Sequence, residues 1–147
     1  MNTDTCNIDE IKALIPHRYP FLLIDKVIDI VKNQSATGIK NVTVNEPYFT
    51  GHFPSSPVVP GVLQIESMAQ TAAVLVAKSL NISDTTALVL LTTIDKAKFR
   101  KPVVPGDVML LAISVQKIRN KLWKFKGEVT VDSQRVSECE FSAMMGV

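Results

Sequence analysis

Residues 51–70 read GHFPSSPVVPGVLQIESMAQ, and the second half of that stretch decides the fold. It opens an apolar run, from Val62 to Leu80, that contains no Gly and no Pro. Nineteen such residues make a helix of about 28 Å at ~1.5 Å per residue. Pro60 and Gly61 stand where the helix starts, and proline tolerates a first turn because its missing N–H has no partner there anyway. Asn81 supplies a stop. Leu63, Ile65, Met68, Val74 and Val76 point in several directions rather than along one stripe, so the helix is expected to be covered on nearly all sides. Gln64, Glu66, Ser67, Gln70 and Thr71 interrupt the run, and an ionisable group in lipid is costly. A central helix wrapped by protein therefore fits better than a membrane span.

The same stretch carries the candidate chemistry. His52 is one of only two histidines, and Glu66 lies inside the apolar run. A buried carboxylate is expensive unless it is paired or used. Gln70 follows Glu66 at i+4, on the same helix face. The first N–H groups, near Gly61 and Val62, have no partner within the helix, and with the helix dipole they favour negative charge at that end. Imidazole is the side chain best suited to moving protons near neutrality. A base, a second acid/base group and an oxyanion site are thus within one segment. Residue types alone leave a structural reading of both groups open, because fourteen residues through a loop fix no distance.

Outside this segment, residues 1–6 read as a loose tail. Asn7-Ile8-Asp9-Glu10 has the form of a capping box, and Ile8, Ile11, Leu14 and Ile15 give a short helix ended by Pro16. His17 is the rival base, but no acid is set near it in sequence and it sits between prolines, so it reads as structural. Strands are expected over Phe21–Lys32 and Gln34–Val44, with a turn or helical piece over Asn45–Thr50. Ala87–Ile94 is nearly all apolar or Thr, which suggests a strand covered on both faces. Three period-two stretches follow, around Met109–Gln116, Trp123–Val131 and Glu138–Ala143, with turns at Arg119-Asn120-Lys121 and Asp132-Ser133. The outcome is an α+β domain: a mostly antiparallel sheet of five to six strands with one long helix between its second and third strands. Such a sheet must wrap the helix to bury it.

Composition agrees. With 46% hydrophobic and 20% charged residues over 147 positions, a single globular domain, 1–147, is expected. Cys6 and Cys139 fit no metal or redox spacing, and with no leader visible they suggest free thiols in a reducing cytoplasm. Net charge is +2, unevenly placed: Lys96–Lys126 holds nine basic residues against Asp107 alone, which leaves the rest of the chain at −6. That bias suits an acidic partner, or it is simply solvated strand faces. Nucleic acid is a poor candidate, since few aromatics are free to stack there.

GHFP followed by PxxPGVLQIESMAQ closely resembles the active-site segment of the beta-hydroxyacyl-acyl-carrier-protein dehydratases of bacterial fatty-acid synthesis. HRYPFLLIDKV at 17–27, KAKFRKPVVPGD at 96–107 and LWKFKGEVTVD at 122–132 resemble the family too, so the likeness runs from about residue 8 to the end. Glu at position 66 is similar to the general dehydratase; the related dehydratase/isomerase usually carries Asp there. The family more often has Gly where Ser55 stands and Met where Val59 stands, which bears on loop packing or tunnel shape.

The resemblance implies the hot-dog fold and dehydration of a (3R)-hydroxyacyl thioester, with His52 as base, Glu66 as acid or positioning group, and the Gly61 N–H polarising the carbonyl. It implies no metal or organic cofactor. It implies a dimer in which His52 faces Glu66 of the mate, often assembled as a trimer of dimers. Phe53, Met68 and Phe99 are expected to line an acyl tunnel. Lys98, Arg100 and Lys101 are expected to receive the acidic carrier protein. The alternatives are the dehydratase/isomerase, a hot-dog thioesterase and a non-catalytic acyl-carrier binding module.

Overall fold

A computed structural model describes residues 3–85 and 88–145. Helix α1 spans Ile8–Leu14 and helix α2 spans Gly61–Ser79, with a 3-10 turn at Pro47–Thr50. Seven strands, β1 (Asp4–Cys6), β2 (Lys26–Val31), β3 (Ser35–Asn41), β4 (Val89–Phe99), β5 (Val108–Arg119), β6 (Leu122–Val131) and β7 (Gln134–Met145), form one antiparallel sheet in the order β1-β2-β3-β5-β6-β7-β4. The sheet wraps α2, which is the hot-dog arrangement.

Helix α2 is enclosed from Gln64 to Ala77, with only Glu66 part-exposed in that span. Each fully buried Leu, Ile or Val there contributes about 1.5–3 kcal/mol gross. The polar residues are satisfied locally: Ser67 Oγ donates to the Leu63 carbonyl and Thr71 Oγ1 to that of Ser67. Gln64 Oε1 accepts from Ser137 Oγ at 2.7 Å, across to β7. Asn81, at φ 55°, ends the helix: its N–H bonds Lys78 O and the Ile82 N–H bonds Ala77 O, a Schellman closure. Two glycines let the sheet come close. A Cβ at Gly38 would lie 2.1 Å from Thr71 Oγ1, and one at Gly127 would lie 2.6 Å from Met68 Sδ.

Several expectations are revised. The tail is not loose throughout, because fully buried Cys6 draws Asp4–Cys6 onto β2 as a strand. This makes seven strands and places α2 between the third and fourth. The first long strand starts only at Lys26: backbone groups of residues 21–23 bond the Gln70 side chain instead of a neighbouring strand. β4 is not covered on both faces. It is one of the sheet's two edges, and Leu90, Leu91, Ile94 and Phe99 are exposed along it; Ala87, the expected first residue, lies outside the described residues. The basic stretch is partly neutralised by β7, since Lys96 pairs with Glu140 and Arg100 with Glu138. Burial raises both thiols, Cys139 to about 11, which fits unreactive core residues. No helix of the described residues is long and apolar enough to cross a membrane.

Candidate active site

The loop before α2 sets the imidazole. His52 is half-buried, and its Nδ1 lies 2.7 Å from the Val58 carbonyl. A carbonyl only accepts, so Nδ1 carries the hydrogen, and in the neutral ring Nε2 is the nitrogen with the free lone pair. The Val58 N–H returns a bond to the His52 carbonyl at 3.0 Å, closing the loop on itself. Val59 N–H then bonds Val103 O at 2.8 Å, which ties the loop to the turn after β4. Phe53 stacks on the His52 ring at 4.1 Å and is otherwise open to solvent.

His52 opens onto a cleft of about 530 Å³ whose wall includes Pro60, Gly61, Gln64, Phe99, Arg100 and Lys101. Pro60 caps α2 through its carbonyl, which accepts from Leu63 and Gln64, and no side chain caps the helix. That leaves the N–H groups of Gly61 and Val62, two residues that line this cleft, without an intrahelical partner. Phe99 lies against the helix start: a Cβ on Gly61 would come within 2.7 Å of its ring. The β4 register slips between Asp95 and Lys98, with Lys96 at φ 53°, and such a bulge re-aims the strand end that carries Phe99. Arg100 is held by Glu138 and Lys101 by Gln134, both at the cleft mouth, while Lys98 is exposed on β4.

Glu66 faces elsewhere. It lines a second cavity of about 310 Å³ with His17, Phe21, Gln70 and the Val89–Leu91 end of β4. Its carboxyl is pushed above the ordinary 4.5 by burial, against the pull of the Gln70 hydrogen bond. Gln70 Nε2 donates to Glu66 Oε2 at 3.0 Å, and His17 Nε2 lies 3.6 Å from the same oxygen. The sequence places no acid beside His17, yet the fold brings Glu66 there from forty-nine positions away. Met68 is fully buried in the core beneath Gly127 and lines neither cavity. One protomer thus assembles the imidazole, helix start, Phe99 and the basic pair, and keeps Glu66 apart. Among the described residues no group of His, Cys, Asp and Glu is arranged to hold a metal ion.

A FabA-like domain model matches residues 15–140, and the chain belongs to that family. Within it, the 3-hydroxyacyl-[acyl-carrier-protein] dehydratase FabZ of Cereibacter sphaeroides is 55% identical over 145 residues, covering 99% of this chain and 94% of that protein. Its counterpart in Rickettsia bellii is 56% identical over 141 residues, covering 96% and 97%. Among solved structures, the dehydratase heterocomplex ApeI:P from Xenorhabdus doucetiae superimposes with a TM-score of 0.80 over 94% of this chain and 91% of that one. At 17% identity that likeness concerns the fold alone.

Proposed function

We propose that the chain is a hydro-lyase of fatty-acid synthesis that dehydrates (3R)-3-hydroxyacyl-acyl-carrier-protein to the trans-2-enoyl thioester, at a site completed by a second copy of itself. The observation that carries this reading is the division of β4. Its Phe99 end borders the His52 cleft, and its Val89–Leu91 end borders the Glu66 cavity. β4 is a free sheet edge with apolar side chains exposed, and pairing such an edge protects it. Two β4 edges related by a two-fold run antiparallel, so the start of one meets the end of the other. That pairing sets the His52 cleft of one protomer against the Glu66 cavity of its partner. The FabZ relatives at 55–56% identity support the reaction.

In this site His52 Nε2 removes a proton from the carbon next to the thioester carbonyl. The electron pair moves onto the carbonyl oxygen, where the Gly61 N–H at the helix start meets it; preorganised donors act most strongly at such a point. As the pair returns to form the double bond, the hydroxyl leaves with the proton of the partner's Glu66 carboxyl. Water departs, and the proton on His52 returns to the Glu66 carboxylate. Phe99 guards the cleft mouth, where Arg100 and Lys101 meet the acidic carrier protein.

The test uses purified protein and 3-hydroxybutyryl carrier thioester. A conjugated enoyl product is expected; free thiol marks a thioesterase, and a cis-3-enoyl product marks the isomerase. His52→Ala and Glu66→Gln are each expected to lose orders of magnitude in kcat. Mixed after joint refolding, they are expected to regain about a quarter of the wild-type rate, since half the dimers are mixed and each holds one intact site. No recovery would remove the shared site; unchanged function in His52→Ala would point to a binding module.

A further inference from the structure

His17 is left unused by that reaction scheme, yet its surroundings are those of a residue with work. The loop that carries it is fastened on both sides. Arg18 donates from one nitrogen to the carbonyls of Ile15 and His17, at 2.9 and 2.7 Å, and from the other to Lys12 O at 2.7 Å. Further on, Gln70 Oε1 accepts the Leu23 N–H at 2.8 Å and Gln70 Nε2 donates to Phe21 O at 2.7 Å. With these two bonds made, the second amide hydrogen of Gln70 has one direction left, toward Glu66 Oε2.

The imidazole itself has one buried nitrogen, Nδ1, without a hydrogen-bond partner among the described residues. The ring shares a cavity with Leu14, Ile15, Ala73, Ala77, Val89 and Met145; the one side-chain acceptor among them, the weak Met145 thioether, makes no hydrogen bond to it. A buried N–H with no acceptor is the rarer and costlier orphan, so Nδ1 is bare and the hydrogen resides on Nε2. That nitrogen is the one 3.6 Å from Glu66 Oε2. The separation exceeds a formed hydrogen bond, and contacts of this kind tighten when substrate closes the site.

The geometry points to His17 as a positioning residue for Glu66: its Nε2–H and the Gln70 amide converge on Oε2, which anchors the carboxyl and leaves Oε1 as the oxygen that meets the substrate hydroxyl. Among the described residues no donor engages Oε1. The assignment rests on the reaction proposed above. Burial, and then Arg18, make His17 harder to protonate, which keeps it a neutral donor. The elements around it, α1, α2, β4 and β7, present apolar side chains and Gln70; Glu66 and Arg18 are the charged groups that act on it.

The test compares His17→Phe, which keeps the bulk and loses the N–H, with His17→Gln, which keeps a donor that does not titrate. Turnover with the carrier-linked substrate is followed against pH. The falling limb at high pH, identified by its displacement in Glu66→Asp, belongs to loss of the Glu66 proton. A carboxylate deprived of a donor holds its proton more tightly, so His17→Phe should move that limb to higher pH. It should also lower kcat about tenfold while KM changes less than about twofold, and His17→Gln should recover most of kcat and the original limb. Equal losses in both variants with an unmoved limb would overturn the assignment and leave a structural role only. Carboxyl 13C titration of Glu66 with a saturated, unreactive acyl carrier thioester at saturating concentration gives an answer independent of turnover: identical curves in wild type and His17→Phe overturn it even where no dehydration occurs. If Phe at 17 prevents folding, His17→Leu carries the same comparison.

Discussion

Oε2 of Glu66 is surrounded by apolar walls and two neutral donors, and the raised affinity of its carboxyl for a proton follows from that setting. The consequence for stability has a definite sign. Between the unfolded value of 4.5 and the higher folded one, the folded state holds more of this proton than the unfolded state. The contribution is therefore complete below about pH 4.5 and is lost as pH rises through the folded value. Glu66→Gln removes the titration. Its melting temperature relative to wild type should rise in the variant's favour from about pH 4 toward neutrality and then level off; a difference constant with pH would contradict this. At this scale the sequence was legible in part. His52, Glu66 and Gly61 stood out by type, motif and helix position. The Val58 carbonyl that fixes the His52 tautomer could not be seen, because a backbone acceptor has no residue signature. His17 beside Glu66 depends on a loop folding back across the helix, which no local pattern encodes.

Close approach of α2 to its sheet rests on two positions with unequal tolerance. At Gly38 the opposing atoms are Oγ1, Cβ and Cγ2 of Thr71, a β-branched side chain whose hydroxyl is tied to Ser67 O. At Gly127 the nearest atom is the sulfur of Met68, the adaptable part of a flexible side chain. Gly38→Ala should therefore cost about 2–3 kcal/mol and Gly127→Ala about 1 kcal/mol or less, measured by denaturant unfolding; the reverse order would show that the sheet, rather than the side chains, yields. The elements themselves were mostly legible. The Asn7 capping box, the uninterrupted run to Ser79 and the three alternating strands are all local patterns. β1 was missed because three residues carry no period, and its reason for pairing, the burial of Cys6, is a tertiary one. β4 was misjudged because an apolar strand reads alike whether its cover comes from the same chain or from another.

The whole molecule is unbalanced at one side. The outer edge of the sheet carries Leu90, Leu91 and Ile94, each more than a third exposed, and adjoins both cavities. In the two-fold pairing proposed above, Ile94 lies midway along β4 and so near the axis. Ile94→Lys would bring two like charges together there, which costs several kcal/mol. The dimer should weaken by about a hundredfold or more by sedimentation, and turnover should fall with it; an unaltered dimer with full activity would place the contact elsewhere. The strand order has one further implication, for how such a chain is made. β3 pairs with β5, and the nineteen residues of α2 lie in the segment between them, while β4 waits for β7, whose last described residue is Met145. A ribosome emitting this chain presents three staves and then its greasiest rod, and only afterwards the four staves that complete the enclosure. Until synthesis is nearly over that rod is sheltered only in part, so the hazard of sticking to other chains falls during birth rather than in the finished molecule.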